Sequence, residues 1–223
     1  MGVNRGGKGA DAPAEPRGAG GGVVMYLYPT GSSMEGYHQN FGVMTAPAMK
    51  GIAAGIREGR RWACDNEVYT RWFESARFFG FLKKLQPYRA TMLFSVCVDA
   101  VGDARTTLEL YRRWAHQCRR FGPVAFVAQD GQESLDFPPA FDWLFIGGTT
   151  DWKMSDAADD CIRRAKVLGK PVHVGRVNSI TRFRHFQLME VDSVDGTFPI
   201  YEPDTARRRL LGCVAQDNLL SLL

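Results

Sequence analysis

The chain contains no C-x-x-C pair and no cysteine–histidine spacing suited to zinc, so its motifs offer no structural zinc module. Its five cysteines, Cys64, Cys97, Cys118, Cys161 and Cys213, are far apart and odd in number. That argues against a disulfide framework and fits a reducing compartment. No G-x-G-x-x-G follows the first apolar run, which removes the usual dinucleotide fingerprint. No apolar run approaches the roughly 20 residues that cross a bilayer. The first residues lack the apolar stretch of a secretory signal, so neither a membrane span nor a signal peptide is expected. Histidine is scarce. His38, His116, His173 and His185 are the four in the chain, and none falls at a defensible acid–base position. His173, inside an apolar run, reads as a core or barrel-interior residue.

What is present is an ordinary globular composition. Of 223 residues, 45% are hydrophobic and 23% charged, enough apolar material for a sizeable core in one domain, two at most. The net charge of +4 permits nucleic-acid binding without arguing for it. The clusters Arg112-Arg113, Arg119-Arg120, Arg182 with Arg184, and Arg207-Arg208-Arg209 read as solvated helix faces. Residues 1–22 are rich in Gly, Ala and Pro and cannot offset their ordering entropy by burial, so a disordered tail is expected there. Residues 23–223 then form a single domain.

Within that domain eight short apolar runs have strand length: Val23–Tyr28, Phe41–Ala46, Trp62–Cys64, Met92–Val98, Val124–Ala128, Trp143–Ile146, Val172–Val174 and Val191–Val194. Most are apolar throughout rather than alternating, as in parallel strands covered on both faces. Helical patterns lie between the later runs. Residues 104–120 align Leu108, Tyr111, Ala115 and Cys118; residues 156–168 align Ala157, Cys161, Ala165 and Leu168; residues 71–85 carry an aromatic face. Eight strands with interleaved helices predict a compact α/β (β/α)8 TIM-like barrel with abbreviated early crossovers. A flavodoxin-like or Rossmann sheet is the alternative.

The strand ends repeat one event: an apolar run delivers a polar residue or glycine at its C-terminal tip. Asp65, Asp99, Gln129, Gly147-Gly148, Gly175-Arg176 and Asp195 all stand in that position. In a barrel those tips converge on one mouth. Singly, each is an ordinary turn or cap residue; in series they suggest one assembled site. Two carboxylates suit substitution at a sugar carbon, one attacking and the other handling protons. An amide, a third carboxylate and an exposed Gly-Gly backbone suit the edge of a flat heterocycle. Asp192 precedes Asp195 on the same strand, reads as lying on its barrel-facing side, and competes with it. Asp103 reads as a helix N-cap, and Trp152 and Lys153 as mouth residues, the lysine at a solvated rim.

Five segments, Cys97–Ala104, Val127–Gly131, Leu144–Lys153, His173–Ser179 and Asp192–Thr197, taken in order, resemble the tRNA-guanine transglycosylase superfamily. The likeness is to its DpdA-type branch, the phage and bacterial 7-deazaguanine DNA transglycosylases, and it covers about residues 24–200. The resemblance implies a transferase of the pentosyl class that replaces guanine in DNA by a 7-deazaguanine base such as the 7-cyano form. It implies Asp195 as the nucleophile on C1′ and Asp65 as the acid that assists base departure. Asp99, Gln129, Gly147, Gly148 and Gly175 are implied to hold the base, and Arg176 with Asn178, Lys153 and Arg182 are assigned to the nucleic acid. No cofactor, metal or membrane is expected; DNA and a free deazaguanine are the expected partners. The location expected is the cytoplasm, that of the host if the gene is phage-borne.

Two departures from the family pattern stand out. The family usually has Asp-Ser-Gly-Gly/Ala-Phe where this chain has Asp65-Asn66-Glu67-Val68-Tyr69, and the zinc subdomain that follows the barrel in the tRNA enzymes has no counterpart here. Two other readings stay open: a base-removing N-glycosidase or nucleoside hydrolase, and a non-catalytic nucleic-acid-binding barrel. A homodimer or a partner subunit, with Leu219–Leu223 as the interface, goes with the last.

Overall fold

The computed structural model describes residues 24–29, 39–49 and 51–198. The expected disordered tail and the Leu219–Leu223 interface lie outside the described residues. Eight parallel strands close into a barrel in chain order. They are β1 (Met25–Tyr28), β2 (Phe41–Thr45), β3 (Trp62–Cys64), β4 (Met92–Val96), β5 (Val124–Ala128), β6 (Trp143–Ile146), β7 (Val172–Val174) and β8 (Ser193–Asp195). The barrel shuts where β8 pairs with β1, Leu27 standing opposite Asp195. This is a TIM-like (β/α)8 barrel of the α/β class.

The strands are short and apolar because both of their faces are covered. Leu27, Met44, Ala63, Phe94, Ala125 and Val127 form a cluster of their own inside the barrel. The alternate positions, among them Tyr26, Val43, Trp62, Phe126, Ile146 and Val174, belong to a second cluster beneath the helices. Period-two alternation sends successive side chains to opposite faces. That same alternation, carried past the strand ends, turns Asp65, Gln129, Gly147, Gly175 and Asp195 into the mouth.

The helices are α1 (Ala54–Arg57), α2 (Ser75–Lys84), α3 (Ala104–Arg119), α4 (Thr150–Lys153), α5 (Asp156–Val167) and α6 (Ile180–Leu188). Between β2 and β3 the connection shrinks to the single turn of α1, and between β5 and β6 to a 3₁₀ turn at Gln132–Ser134, the former an abbreviated early crossover as expected. Asp103 caps α3, accepting from the Thr106 amide at 3.0 Å, and the α3 stripe of Leu108, Tyr111, Ala115 and Cys118 is buried. On α5 the buried stripe is Ala158, Cys161, Ile162 and Ala165. It is rotated from the expected one because Leu168 falls past the helix end and is 58% exposed.

The helix expected from residue 71 begins at Ser75. The segment before it is held as a loop by Glu67, whose carboxylate pairs with Arg77 at 3.1 Å and Arg71 at 3.9 Å. The glutamate also accepts from the Ala48 amide at 3.0 Å. Loop tethering thus outweighs local helical periodicity here. Among the described residues no helix is long and apolar enough to cross a membrane.

Candidate active site

The C-terminal ends of the strands open onto a cavity of about 540 Å³, counting the open space at its mouth. Asp65, Asp99, Gln129, Gly147, Gly175, Arg176 and Asp195 all line it. Met44, Val96, Val127 and Phe145 supply an apolar floor, and Val68, Tyr69 and Val101 the rim. Polar groups delivered by the ends of β3, β4, β5, β7 and β8 surround this apolar floor, with Asp99, Gln129 and Asn66 forming one hydrogen-bonding edge.

That edge is built by one carboxylate between two amides. Gln129 Oε1 accepts from the backbone amides of Gly102 and Gly148, each at 2.9 Å. Two donors on one end fix the orientation of the side chain. Its Nε2 therefore faces Asp99 and donates to Oδ2 at 2.6 Å. On the other side Asn66 Nδ2 donates to Asp99 Oδ1 at 2.7 Å, while Asn66 Oδ1 accepts from the Val68 amide at 3.0 Å. Burial nonetheless pushes the Asp99 carboxyl up to about 6, because desolvation outweighs the two amide hydrogen bonds.

Gly147 and Gly148 are glycines for packing reasons. A Cβ on Gly147 would sit 2.7 Å from Val127 Cγ1, and one on Gly148 would sit 2.3 Å from the Trp152 ring. Gly148 also has φ 58°, a left-handed conformation that L side chains adopt at a cost. Trp152 is locked against it by a hydrogen bond from Nε1 to Glu133 Oε2 at 2.9 Å.

Asp65 and Asp195 belong to strands three steps apart around the barrel and share the one cavity. Burial pushes the Asp65 carboxyl up to about 7, and the Asp195 and Asp99 charges push the same way. Asp195 is fixed from below. Its Oδ1 lies 2.9 Å from Nε2 of His173, whose Nδ1 lies 2.8 Å from Ser193 Oγ. Gly175 leaves the space between: a Cβ there would meet Phe145 at 2.7 Å and Asp195 Oδ1 at 3.4 Å.

The departure after Asp65 is absorbed by the backbone. Glu67 takes φ 65°, the conformation a glycine would favour, and its side chain turns to Arg71 and Arg77 instead of the cavity. Tyr69 stands at the rim, and the Arg176 guanidinium lies over its ring. Arg176 also has positive φ, 59°, and donates to the Gly148 carbonyl, so it spans from β7 to the β6 turn.

Two expected positions, Asp192 and Lys153, are corrected. Asp192 is not on the barrel-facing side: it stands three residues before Asp195, so alternation puts it on the other face. It sits at the strand start, where Oδ2 accepts from the Val172 amide at 2.8 Å. Lys153 is not at a solvated rim: it is 3% exposed, and its ammonium donates to the Gly175 carbonyl at 2.5 Å. Burial lowers that lysine to about 7. Asn178 does not line the cavity; its Oδ1 accepts from the Thr197 amide at 2.7 Å and so ties down the turn after β8. Arg182 lies in the first turn of α6 and is half-buried. Sequence reasoning missed Asn66, Tyr69 and the apolar floor as site residues, and it missed the His173 contact with Asp195. Among the described residues no group of acidic, cysteine and histidine side chains could hold a metal ion.

Comparison of the chain with protein-family models finds no match, and comparison with curated proteins finds none either.

Proposed function

We propose that the barrel is a base-exchange enzyme that replaces guanine in DNA with a 7-deazaguanine through a covalent bond between Asp195 and the sugar. The observation that carries this reading is the pairing of Asp65 and Asp195 in one cavity, with the Asp99–Gln129–Asn66 edge beside them. The motif resemblance to the 7-deazaguanine DNA transglycosylases supports it.

Each group has a chemical task. The target nucleotide leaves the stack and its base enters the slot, since the reacting carbon is out of reach in a duplex. Asp99 accepts from ring and exocyclic N–H groups of the guanine edge, and the Gly147–Gly148 backbone approaches the same edge closely. Asp195 attacks C1′ as the bond to the glycosidic nitrogen breaks. The electron pair leaves with that nitrogen, which takes the proton of Asp65. A carboxyl raised to about 7 holds a proton at neutral pH and still releases it, as an acid that must later act as a base requires. The incoming deazaguanine then gives its ring N–H proton to Asp65 and attacks C1′, and Asp195 leaves.

The test is incorporation of labelled 7-cyano-7-deazaguanine into DNA by the wild type and by Asp195→Ala. Wild-type incorporation, lost in the variant with its circular dichroism unchanged, is the expected result. Full activity in the variant overturns the reading. Abasic sites in place of a modified nucleoside move the assignment to a base-removing glycosidase. Tight DNA binding with neither product moves it to a non-catalytic barrel.

A further inference from the structure

We infer that His173 is a positioning residue for Asp195: a neutral imidazole with its proton on Nε2, fixing one carboxylate oxygen so that the other faces the reacting carbon. The inference rests on the proposed function for the reaction it serves, but its structural half stands on geometry alone.

Ser193, His173 and Asp195 form a hydrogen-bonded chain across β7 and β8, with His173 directly paired to Ser193 in the strand register. A serine, a histidine and an aspartate in a row invite reading the serine as a nucleophile. Accessibility reverses that order. Ser193 is 1% exposed and His173 fully buried, whereas the Asp195 side chain is 16% exposed and lines the cavity. The carboxylate is the end of the chain that a substrate meets.

The proton positions follow from donor and acceptor chemistry. An ionised carboxylate only accepts, so the 2.9 Å contact requires the hydrogen on His173 Nε2. Nδ1 is then an acceptor, and the Ser193 hydroxyl, free to rotate, donates to it across 2.8 Å. The ring is held between Phe94 and Phe145, with centroids at 5.1 and 4.7 Å. This apolar clamp, with the Lys153 charge near by, disfavours the imidazolium and lowers the His173 pKa, although the Asp195 charge opposes it. The imidazole is thus a fixed neutral donor.

A fixed donor on Oδ1 has two consequences for the reaction. It leaves Oδ2 as the oxygen that bonds to C1′. When the second base attacks C1′ and the Oδ2–C1′ bond breaks, the electron pair returns to the carboxylate. The charge then spreads to Oδ1, where a hydrogen bond is already in place. Preorganised donors at such positions contribute about 10²- to 10³-fold in rate when removed singly.

The test has a spectroscopic arm and a kinetic arm. In the wild-type protein, ¹⁵N-histidine NMR at neutral pH reads the tautomer of His173, with His173→Phe used to assign the signal. A neutral Nε2–H ring supports the inference; an Nδ1–H ring or an imidazolium overturns it. Kinetically, His173→Phe keeps the ring volume and removes both hydrogen bonds, and it is expected to lower kcat about 10²-fold with KM for DNA unchanged. His173→Gln, which restores an N–H donor, recovers part of that loss. Unchanged kcat in a folded His173→Phe overturns the inference. If the wild type itself exchanges no base, the proposed function fails, and the tautomer alone then decides the positioning of Asp195.

Discussion

The Arg176 guanidinium lies over the Tyr69 ring, its central carbon 4.3 Å from the ring centroid. The two residues come from loops after β7 and β3, so the contact bridges the mouth from one wall to another. Tyr69 is 62% exposed, and its ring offers a stacking face at the rim. Tyr69→Ala should change folding stability by less than about 1 kcal/mol, the size of an exposed cation–π contact. It should raise KM for the free base about tenfold, given roughly 1–3 kcal/mol per stacked base. Tyr69→Phe should restore the wild-type KM in steady-state assays.

The raised Asp65 carboxyl has a definite sign in both stability and rate. Its folded value, about 7, exceeds the unfolded value near 4, so the native state binds the proton more tightly. The charged form is penalised on folding, and the penalty grows from about pH 4 to about pH 7 and is constant above. Asp65→Asn should therefore gain stability over wild type at pH 8 and show no such gain near pH 4, as read from urea midpoints at the two pH values. The wild-type exchange rate should fall above about pH 7 with a slope of one proton, as Asp65 loses its acid form.

Gly148 and Gly169 separate two costs of adding a methyl group. Both have positive φ, 58° and 67°. A Cβ at Gly169 meets nothing within 4 Å, while one at Gly148 lies 2.3 Å from Trp152. Gly169→Ala should cost about 1–2 kcal/mol from backbone strain alone. Gly148→Ala should cost a further 1–3 kcal/mol from overpacking and should also disturb the amide that orients Gln129. Urea denaturation of the two variants side by side measures the difference.

Glu190 follows the C-terminus of α6 with φ 53°, its amide bonded to the Gln187 carbonyl at 2.9 Å. It is an exposed side chain at a position where helices favour glycine. Glu190→Gly should stabilise the fold by up to about 1 kcal/mol. In a domain of this size that raises Tm by about 2–4 °C. Base exchange should be unaffected; a lower Tm would contradict this account of the turn.

The strands were legible because each is a bounded apolar run, and five of the tips that follow them reach the cavity through simple alternation. Asp65, Gln129, Gly147, Gly175 and Asp195 each lie two residues past an interior position, whereas Asp99 stands three past Val96 and reaches the cavity only through the turn after β4. Lys153 was misread because a lysine just past a Gly-Gly turn resembles a surface residue. Its burial comes from α4 folding back over the Gly175 carbonyl, a tertiary contact with no local signature. The α2 start was misjudged for a similar reason, since Glu67 holds Arg71 and Arg77 across the loop. His173 did leave a trace. It lies two residues before Gly175, as Ser193 lies two before Asp195, and adjacent parallel strands bring such pairs together. The neighbour relation of β7 and β8 had to be used for that trace to be read.

The seam between β8 and β1 bears on how the protein is made. Asp195 sits on the last strand of the barrel, and that strand is held on one side by the first. A ribosome must therefore deliver almost the whole barrel before the carboxylate has its permanent neighbours, and β1 must wait unpaired along that edge until then. Nascent chains that stall between β6 and β8 carry Asn66, Asp99 and Gln129 but not Asp195. A chain that stops short of β8 lacks the carboxylate proposed to attack the sugar.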